Sequence, residues 1–273
     1  MSSTGCKSNF LKNTRVYLSG PMDFVASRAE EKKFGWRVRV GEFLSSFGAT
    51  VFDPWNKPKV RGLHEYGKED VATIKLREKW TFEATEDGAQ ARAECAQTFW
   101  ETMHIDLRMV DISDFVIAYC PTNVYSVGTP HEIITARQQH KPVLFISMPV
   151  TFPALDELEE HLQKQEGDKD GRKLLNTLVK QVPIKPNPHG VPSLWYIPLI
   201  GGNNFFDGFG FAGYHKKYGW SEGPADKHEK EHPPKRPLLT FLENLNRDLP
   251  KKWSTQERKF VQDDNWLLLE ANR

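Results

Sequence analysis

Four short apolar segments, alternating with helical patterns, constrain the fold of this chain more than any other feature of its sequence. The segments are RVYLS at 15–19, ATVF at 49–52, FVIAY at 115–119 and VLFIS at 143–147. Apolar residues recur at helical spacing between them, from about Ala26 to Phe47, from about Ala96 to Val110 and from Pro130 to about Gln139. This alternation predicts an α/β fold with a doubly wound parallel sheet, because nearly continuous apolar strands are typical of sheets covered on both faces.

The chain is predicted to consist of an α/β core, a charged insertion and a C-terminal extension. We assign residues 15–150 to the core and 151–273 to the extension, which we expect to pack on the core. The charged residues 56–95 form either an insertion that acts as a mobile lid or a solvated helical excursion. Within the extension the sequence predicts helices at Leu155–Gln165, Lys173–Val179 and Arg236–Arg247, a fifth strand at Leu194–Leu199 and a glycine- and aromatic-rich loop at 201–220.

Composition and short motifs exclude several classes of function. Because 37 basic residues stand against 36 acidic ones, there is no electrostatic reason to expect a nucleic-acid polymer as partner. The three cysteines and the histidines lack metal-ligand spacing, and the first strand is followed by neither a Walker A motif nor G-x-G-x-x-G. We therefore expect no metal and no other cofactor. With no signal-peptide core and no apolar run near the ~20 residues of a membrane span, the sequence predicts a cytoplasmic protein without a membrane partner.

The carboxyl ends of the predicted strands indicate where a ligand binds, because doubly wound sheets bind their ligands there. The first of these ends is the stretch Gly20-Pro21-Met22-Asp23. The third strand leads through a loop to SVGTPHE at 126–132. Asp23 has two interpretations, since it either reaches the base or sugar of a ligand or caps the helix that begins near Ala26.

Glu132 also has two interpretations from the local sequence. Thr129-Pro130-His131-Glu132 matches a capping box, in which Thr129 begins a helix and the glutamate has a structural role. The same glutamate lies at the carboxyl end of a central strand and near a helix N-terminus, which favours the ionised carboxylate that a nucleophile requires. The position in the predicted fold therefore favours a nucleophile, although the motif alone favours a cap.

The ordered set of motifs resembles the nucleoside 2-deoxyribosyltransferase superfamily, which includes nucleoside 5′-monophosphate N-glycosidases. The resemblance consists of the first strand ending in Gly20-Pro21, Asp106 on the helix before SDFVIA, and the helix start G-T-x-x-E followed by A-x-x-x-x-K-P-V. It covers about residues 15–55 and 100–148. The resemblance implies a flavodoxin-like fold for the doubly wound sheet.

The resemblance also implies the roles of the site residues. Glu132 would attack the anomeric carbon and form a glycosyl-enzyme intermediate, Asp106 would orient the nucleophile or base or relay a proton, and Tyr17 would position Glu132 or the sugar. Glycoside cleavage through an oxocarbenium-like transition state independently calls for two such acidic groups. The residues expected to bind substrate at the first strand end are Ser19, Gly20, Pro21, Met22 and Asp23.

Ser126 bears on the substrate. Six residues before the glutamate, transferases that this sequence resembles usually carry an aspartate, whereas the monophosphate hydrolases carry a serine. A serine hydroxyl, with the backbone N–H groups of Gly128 and Thr129, is able to bind a phosphate that an aspartate would repel. Ser126 therefore favours a 5′-phosphorylated substrate, with an ordinary loop serine as the equal alternative.

The predicted function is hydrolysis of the base–sugar bond of a nucleoside 5′-monophosphate. A nucleoside 2-deoxyribosyltransferase would share the covalent step and differ in the acceptor, and a non-catalytic nucleotide sensor would need none of the catalytic residues. The resemblance further implies a homodimer or higher homo-oligomer, in which a neighbouring subunit completes the pocket. Asn203 and Asn204 are the residues that we expect in that role.

Overall fold

A five-stranded parallel sheet forms the centre of the molecule. The computed structural model describes residues 8–22, 27–56, 78–165, 168–181, 186–201, 203–211 and 229–272. The strands of the sheet are β1 (Arg15–Ser19), β2 (Thr50–Phe52), β3 (Phe115–Tyr119), β4 (Val143–Ile146) and β5 (Phe205–Phe206). Their spatial order is β2-β1-β3-β4-β5. This is the flavodoxin-like order, so the predicted fold class is confirmed.

Helices connect and cover the strands. They are α1 (Arg28–Phe34), α2 (Trp36–Ser46), α3 (Glu86–Asp111), α4 (Gly128–Gln138), α5 (Pro153–Lys164), α6 (Lys169–Gln181), α7 (Tyr196–Ile200) and α8 (Leu238–Leu245), with 3₁₀ turns at Pro54–Asn56 and Asp264–Asn272. An antiparallel hairpin of β6 (Lys251–Ser254) and β7 (Lys259–Gln262), which the sequence did not predict, follows α8. Among the described helices, none combines the length and the apolar character needed to cross a membrane.

Gly35 divides the first helical segment. The sequence predicts one helix from about Ala26 to Phe47, and that prediction is wrong, because the backbone of Gly35 is extended (φ −65°, ψ 168°). The N–H of Gly35 donates to the carbonyl oxygen of Glu31 and ends α1. A Cβ at Gly35 would lie only 2.3 Å from that same oxygen, so the break depends on glycine.

The helix that precedes β3 begins earlier than predicted. The sequence predicts a start near Ala96, but Thr85 is the N-cap, and its Oγ1 accepts a hydrogen bond from the N–H of Gly88 at 3.1 Å. Residues 86–95, counted with the charged insertion, are therefore part of a largely exposed helix. The rest of the predicted insertion includes 57–77, which lie outside the described residues.

The fifth strand comes from a different segment than predicted. Leu194–Leu199 is not a strand, since Leu194 and Trp195 are exposed and α7 begins at the next residue. β5 lies instead within the predicted glycine- and aromatic-rich loop, where it pairs with β4 through Phe145 and Ile146. Tertiary contact rather than local pattern determines this strand, because it is only two residues long.

Residues from the C-terminal part of the chain share a core with the first strand. Phe206, Leu242 and Trp266 belong to the same buried cluster as Val16 and Leu18 of β1. The opposite face of β1, which carries Tyr17, is covered by α3 and α4. The division into residues 15–150 and 151–273 stays a prediction, and its boundary falls before a strand of the central sheet.

Candidate active site

The carboxylate of Glu132 lies over β1 and accepts a hydrogen bond on each oxygen. Tyr17 donates its hydroxyl to Oε1 at 2.8 Å, and Ser19 donates its hydroxyl to Oε2 in a short contact. These two donors are two residues apart on one strand, so they project from the same face of the sheet. The helix that carries Glu132 follows β3, which is paired with β1, and this connection brings the glutamate to them.

The capping box predicted at the start of α4 is wrong. The helix begins at Gly128, Val127 occupies the N-cap, and no side chain caps it. Thr129 lies inside the first turn, and its Oγ1 accepts a hydrogen bond from Ser126 at 2.9 Å. Because Glu132 bonds to β1 instead of to its own helix start, its side chain has no capping role.

Burial is the main reason that the pKa of Glu132 is raised, from 4.5 to about 7. The negative charge of Asp106 raises the pKa further, while the hydrogen bonds from Ser19 and Tyr17 and the charge of Arg37 lower it. The glutamate is 9% exposed. A carboxylate with these neighbours titrates close to neutral pH, which is the range that acid–base and nucleophilic chemistry uses.

Asp106 comes from a second helix and faces the same place. It lies on α3, which packs beside α4 on one side of the sheet, and it is half-buried. Its charge is close enough to Glu132 to be the largest electrostatic contribution to the raised pKa after burial. The structure thus brings together Tyr17, Asp106 and Glu132, the three residues for which sequence predicts catalytic roles.

The turn after β1 is tightly packed. A Cβ on Gly20 would lie 2.9 Å from Cζ2 of Trp36 and 3.3 Å from the carbonyl oxygen of Tyr119, so a larger residue would displace one of them. Pro21 is buried and Met22 is half-buried at the same strand end. Asp23, the remaining predicted residue of this turn, lies outside the described residues.

Arg37 is a residue of this region that the sequence interpretation missed. Its side chain is buried, and its guanidinium donates to the carbonyl oxygens of Leu18 at 3.2 Å and Gly20 at 2.6 Å. A signal was present, because Arg37 falls three residues before Val40 and seven before Leu44, on the apolar stripe of its helix. A charged residue on such a stripe is rarely buried without a partner.

A cavity of about 350 Å³ opens at the same end of the sheet. Its walls combine apolar side chains with hydroxyl groups, and its lining residues are Pro21, Cys120, Pro121, Thr122, Val124, Ser126, Pro130, Phe145, Ser147, Val191, Pro192, Ser193 and Tyr196. Pro21 and Pro130 each lie two residues from the Ser19–Glu132 contact, so the cavity adjoins the carboxylate, which is not itself among the lining residues. The hydroxyl of Ser147, at the end of β4, is buried and has no hydrogen-bond partner among the described residues.

Cys120 lies between the cavity and the glutamate. Burial and the nearby charge of Glu132 raise the pKa of its thiol to about 12, and the thiol is hydrogen-bonded to Tyr196. A thiol with that pKa is protonated at neutral pH, so Cys120 is part of the polar lining of the cavity and not a nucleophile. Among the described residues, no cluster of three His, Cys, Asp or Glu side chains is arranged to hold a metal ion.

Asn203 and Asn204 lie at the opposite end of the sheet in their own chain. They precede β5, which runs parallel to the other strands, so they are at its amino end. The carbonyl oxygen of Asn204 accepts from the N–H of Phe145 at 2.7 Å, and that of Asn203 accepts from Arg236. Within one chain neither reaches Glu132, and the role predicted for them in a neighbouring subunit stays a prediction.

Comparisons with known proteins found matches among solved structures. No protein-family model matches the chain, and no curated protein matches it. The solved structures that it resembles include a 2-deoxyribosyltransferase from the psychrotolerant bacterium Bacillus psychrosaccharolyticus, which is 18% identical over 49% of this chain and 72% of that chain, with a TM-score of 0.28. At that TM-score the likeness does not decide a function, so the function is inferred from the contacts around Glu132.

Proposed function

We propose that this protein is an N-glycosidase that cleaves the base–sugar bond of a nucleoside 5′-monophosphate through a glycosyl–Glu132 intermediate. The observation that supports it is a buried carboxylate, held by two hydroxyl donors beside a second acid at the carboxyl ends of parallel strands. Ligands of doubly wound sheets bind at these ends. The cavity next to Glu132 has room for a small ring-containing substrate.

In the first step an oxygen of Glu132 attacks the anomeric carbon, and the carbon–nitrogen bond to the base breaks with its electron pair on nitrogen. Each oxygen accepts one hydrogen bond in the free protein and retains a further lone pair for attack. The departing base takes its proton from solvent water, while the ionised Asp106 stays beside the reacting centre. The hydroxyls of Tyr17 and Ser19 keep the attacking oxygens oriented.

In the second step water attacks the anomeric carbon, and the ester bond to Glu132 breaks. Asp106 accepts the proton of that water as general base and afterwards releases it to solvent. The carboxylate of Glu132 leaves with its electron pair and is stabilised again by the same two hydroxyls. The products are a sugar 5-phosphate and a free base.

Ser126 supports a phosphorylated substrate in this proposal. Its hydroxyl and that of Thr129 are paired at the first turn of α4, and Ser126 lines the cavity. The first N–H groups of a helix have no partner within the helix and favour an anion. Since none of the cavity's lining residues is charged, these dipoles are the groups there that favour a phosphate.

The deciding experiment is chromatography of a panel of nucleosides and 5′-monophosphates after incubation with the protein. We expect free base from a monophosphate, none with Glu132→Gln, and unchanged release with Glu42→Gln, which removes an exposed carboxylate on α2. Nucleotide binding by Glu132→Gln should stay close to that of the wild type. Binding without base release from any compound would favour the nucleotide sensor instead.

A second incubation separates hydrolysis from transfer. Addition of a different free base to the reaction gives an exchanged nucleoside only if that base, and not water, takes the sugar from Glu132. We expect no exchange product, and its accumulation would identify a 2-deoxyribosyltransferase. Both outcomes are compatible with a covalent glycosyl–Glu132 intermediate. Intact-protein mass spectrometry detects this intermediate as an added mass of a sugar phosphate or a sugar.

We also propose that the chain forms a homo-oligomer in which Asn203 or Asn204 reaches the site of a neighbouring subunit. Light scattering after size exclusion measures the assembly. If the proposal holds, substituting both asparagines by alanine lowers activity in the oligomer, and a fully active monomer would contradict it.

A further inference from the structure

The guanidinium of Arg37 contacts three backbone carbonyl groups at the end of β1. Nε donates to the carbonyl oxygen of Leu18 at 3.2 Å, Nη2 donates to that of Gly20 at 2.6 Å, and Nη1 lies 3.4 Å from that of Pro21. Ser19, a donor to Glu132, lies between the first two of these acceptors. The side chain of Arg37 reaches all of them from α2, on the other side of the strand.

These carbonyl groups need a partner because the sheet ends here. Ser19 is the last residue of β1 that pairs with β3, so the carbonyls of Gly20 and Pro21 lie beyond the ladder. Pro21 also has no N–H to contribute to a hydrogen-bonded turn. The planar guanidinium, with five N–H donors in fixed directions, is suited to several acceptors at once, which a lysine ammonium is not.

Aromatic and acidic side chains enclose the charge of Arg37. The guanidinium carbon lies 4.9 Å from the ring centre of Trp36 and 6.0 Å from that of Trp55. Asp53 Oδ1 is 3.9 Å from Nε, and Glu31 is near enough for Arg37 to lower its pKa against the dominant effect of burial. The ion pair is long, so hydrogen bonds to the backbone are the closer contacts.

We propose that Arg37 is a positioning residue of the site, whose buried guanidinium fixes the turn after β1 and thereby holds Tyr17 and Ser19 against Glu132. The expected change in kcat rests on the proposed function, whereas the expected change in the position of Ser19 beside Glu132 rests on the hydrogen bonds of Arg37. Ser19 is between two anchored carbonyls, so freeing them lets its hydroxyl move away from the carboxylate. Arg37 touches no substrate in this role.

The charge of Arg37 acts on Glu132 as well. Burial and Asp106 raise the pKa of Glu132, while Ser19, Tyr17 and Arg37 lower it. Removing Arg37 takes away a positive charge and loosens a hydroxyl donor, and both changes raise the pKa further. Among the described residues, the groups that act on the carboxylate are Tyr17 and Ser19 on β1, Asp106 on α3, Cys120 after β3 and, by its charge from the other side of β1, Arg37 on α2.

The test compares Arg37→Met and Arg37→Lys with a matched control, Arg39→Met. Arg39 is also buried on α2, and its Nε donates to the carbonyl oxygen of Phe34, away from the strand end. We expect about a 10- to 100-fold fall in kcat for Arg37→Met, with a smaller change in KM, because small displacements of reacting groups have effects of that size. Arg39→Met should lower Tm similarly and leave kcat unchanged.

The lysine variant separates charge from hydrogen bonding. Arg37→Lys keeps the positive charge but cannot bond to three carbonyls, so we expect a lowered kcat. The pH below which activity falls, the acid limb of the pH profile, should stay near its wild-type position. Arg37→Met should move that limb to higher pH. If Arg37→Met does not fold, a lysine variant that is folded and retains the full wild-type kcat overturns the proposal.

A readout that needs no activity is the ¹³C titration of the Glu132 side-chain carboxyl, assigned by its absence in Glu132→Gln. We expect a higher midpoint in Arg37→Met than in the wild type and no change in Arg39→Met. Equal midpoints in Arg37→Met and the wild type would overturn the role of Arg37. A wild-type protein without glycosidase activity, but with the expected titrations, would contradict the proposed function and leave the role of Arg37 supported.

Discussion

Glu132 is a buried carboxylate with a hydroxyl donor on each oxygen, and this environment determines how the protein should respond to pH. The two hydroxyls favour the ionised form, whereas burial and Asp106 oppose it. Since burial is the larger effect, the group titrates near pH 7 instead of near its usual value of 4.5.

The first prediction concerns activity. A nucleophilic Glu132 must be ionised, and with a pKa of about 7 its ionised fraction rises through neutral pH. We expect kcat/KM to increase about tenfold per pH unit below that value and to level off above it, measured with a 5′-monophosphate over pH 5–9. A limb at about 6 would report the phosphate of the substrate instead, and a flat profile would contradict the prediction.

The second prediction concerns stability. Between pH 4.5 and about 7 the folded protein holds a proton on Glu132 that the unfolded chain has lost, so stability falls as the pH rises through this window. Glu132→Gln cannot ionise and escapes that loss. Relative to the wild type, the variant should become more stable from pH 4.5 to pH 8 by about 1–3 kcal/mol. Urea denaturation at both pH values measures the difference, and a difference that does not change with pH would contradict the prediction.

The third prediction concerns Ser147. Its buried hydroxyl has no hydrogen-bond partner among the described residues and lines the cavity, so a bound substrate is able to supply one. Ser147→Ala should raise KM by about 5- to 30-fold and leave the free protein equally or more stable. Ser113→Ala is the control, since it removes a buried hydroxyl that bonds to Met109 at 2.6 Å and should lower stability without affecting KM.

At the scale of elements, Gly35 and Gly41 differ in whether the structure has room for a side chain at their positions. A Cβ on Gly35 would lie 2.3 Å from a backbone oxygen, whereas a Cβ on Gly41, inside α2, would meet Val51 at an ordinary 3.8 Å. We expect Gly35→Ala to lower the free energy of unfolding by about 1–3 kcal/mol and Gly41→Ala to raise it by up to about 1 kcal/mol. Chemical denaturation measures both. Equal effects would show that the break between α1 and α2 does not require glycine at position 35.

Elements with a strong local pattern were predictable from sequence. β1 and β3 could be located from their short, mostly apolar segments, and Glu132 could be placed because a helix after a central strand must begin at the strand's carboxyl end. The break at Gly35 and the two-residue strand β5 were missed, because a contact with Glu31 determines one and pairing with β4 the other.

The same reasoning applies to the site. Glu132 was singled out because the strand and helix around it could be placed in the fold, whereas the role predicted for Tyr17 came from the family resemblance, and the structure places the two side chains in contact. The position of Arg37 on the apolar stripe of α2 could have indicated its burial, but the backbone carbonyls to which it donates are not encoded by any spacing in the sequence. The capping-box interpretation failed for a related reason, since tertiary hydrogen bonds to β1 replaced the local one.

At the scale of the whole molecule, the C-terminal part of the chain contributes to the central core. Phe206, Leu242 and Trp266 are buried in one cluster with Val16 and Leu18, and β5 is an edge of the sheet. We expect a chain ending at residue 150 to lack a cooperative thermal transition, because these contacts supply part of the buried apolar surface. Calorimetry of that fragment tests this, and a two-state transition near that of the full chain would contradict it.

The walls of the cavity include two distant stretches of the chain, one from 120–130 beside Glu132 and one from 191–196, together with Pro21, Phe145 and Ser147. The second stretch contains none of the hydrogen-bonding partners of the carboxylate and carries the exposed Trp195 at its outer side. This part of the cavity wall is thus encoded apart from the residues that hold the carboxylate. Changes within 191–196 offer a way to redirect which molecules enter while the reacting groups keep their arrangement, which makes this stretch the natural target for redesign.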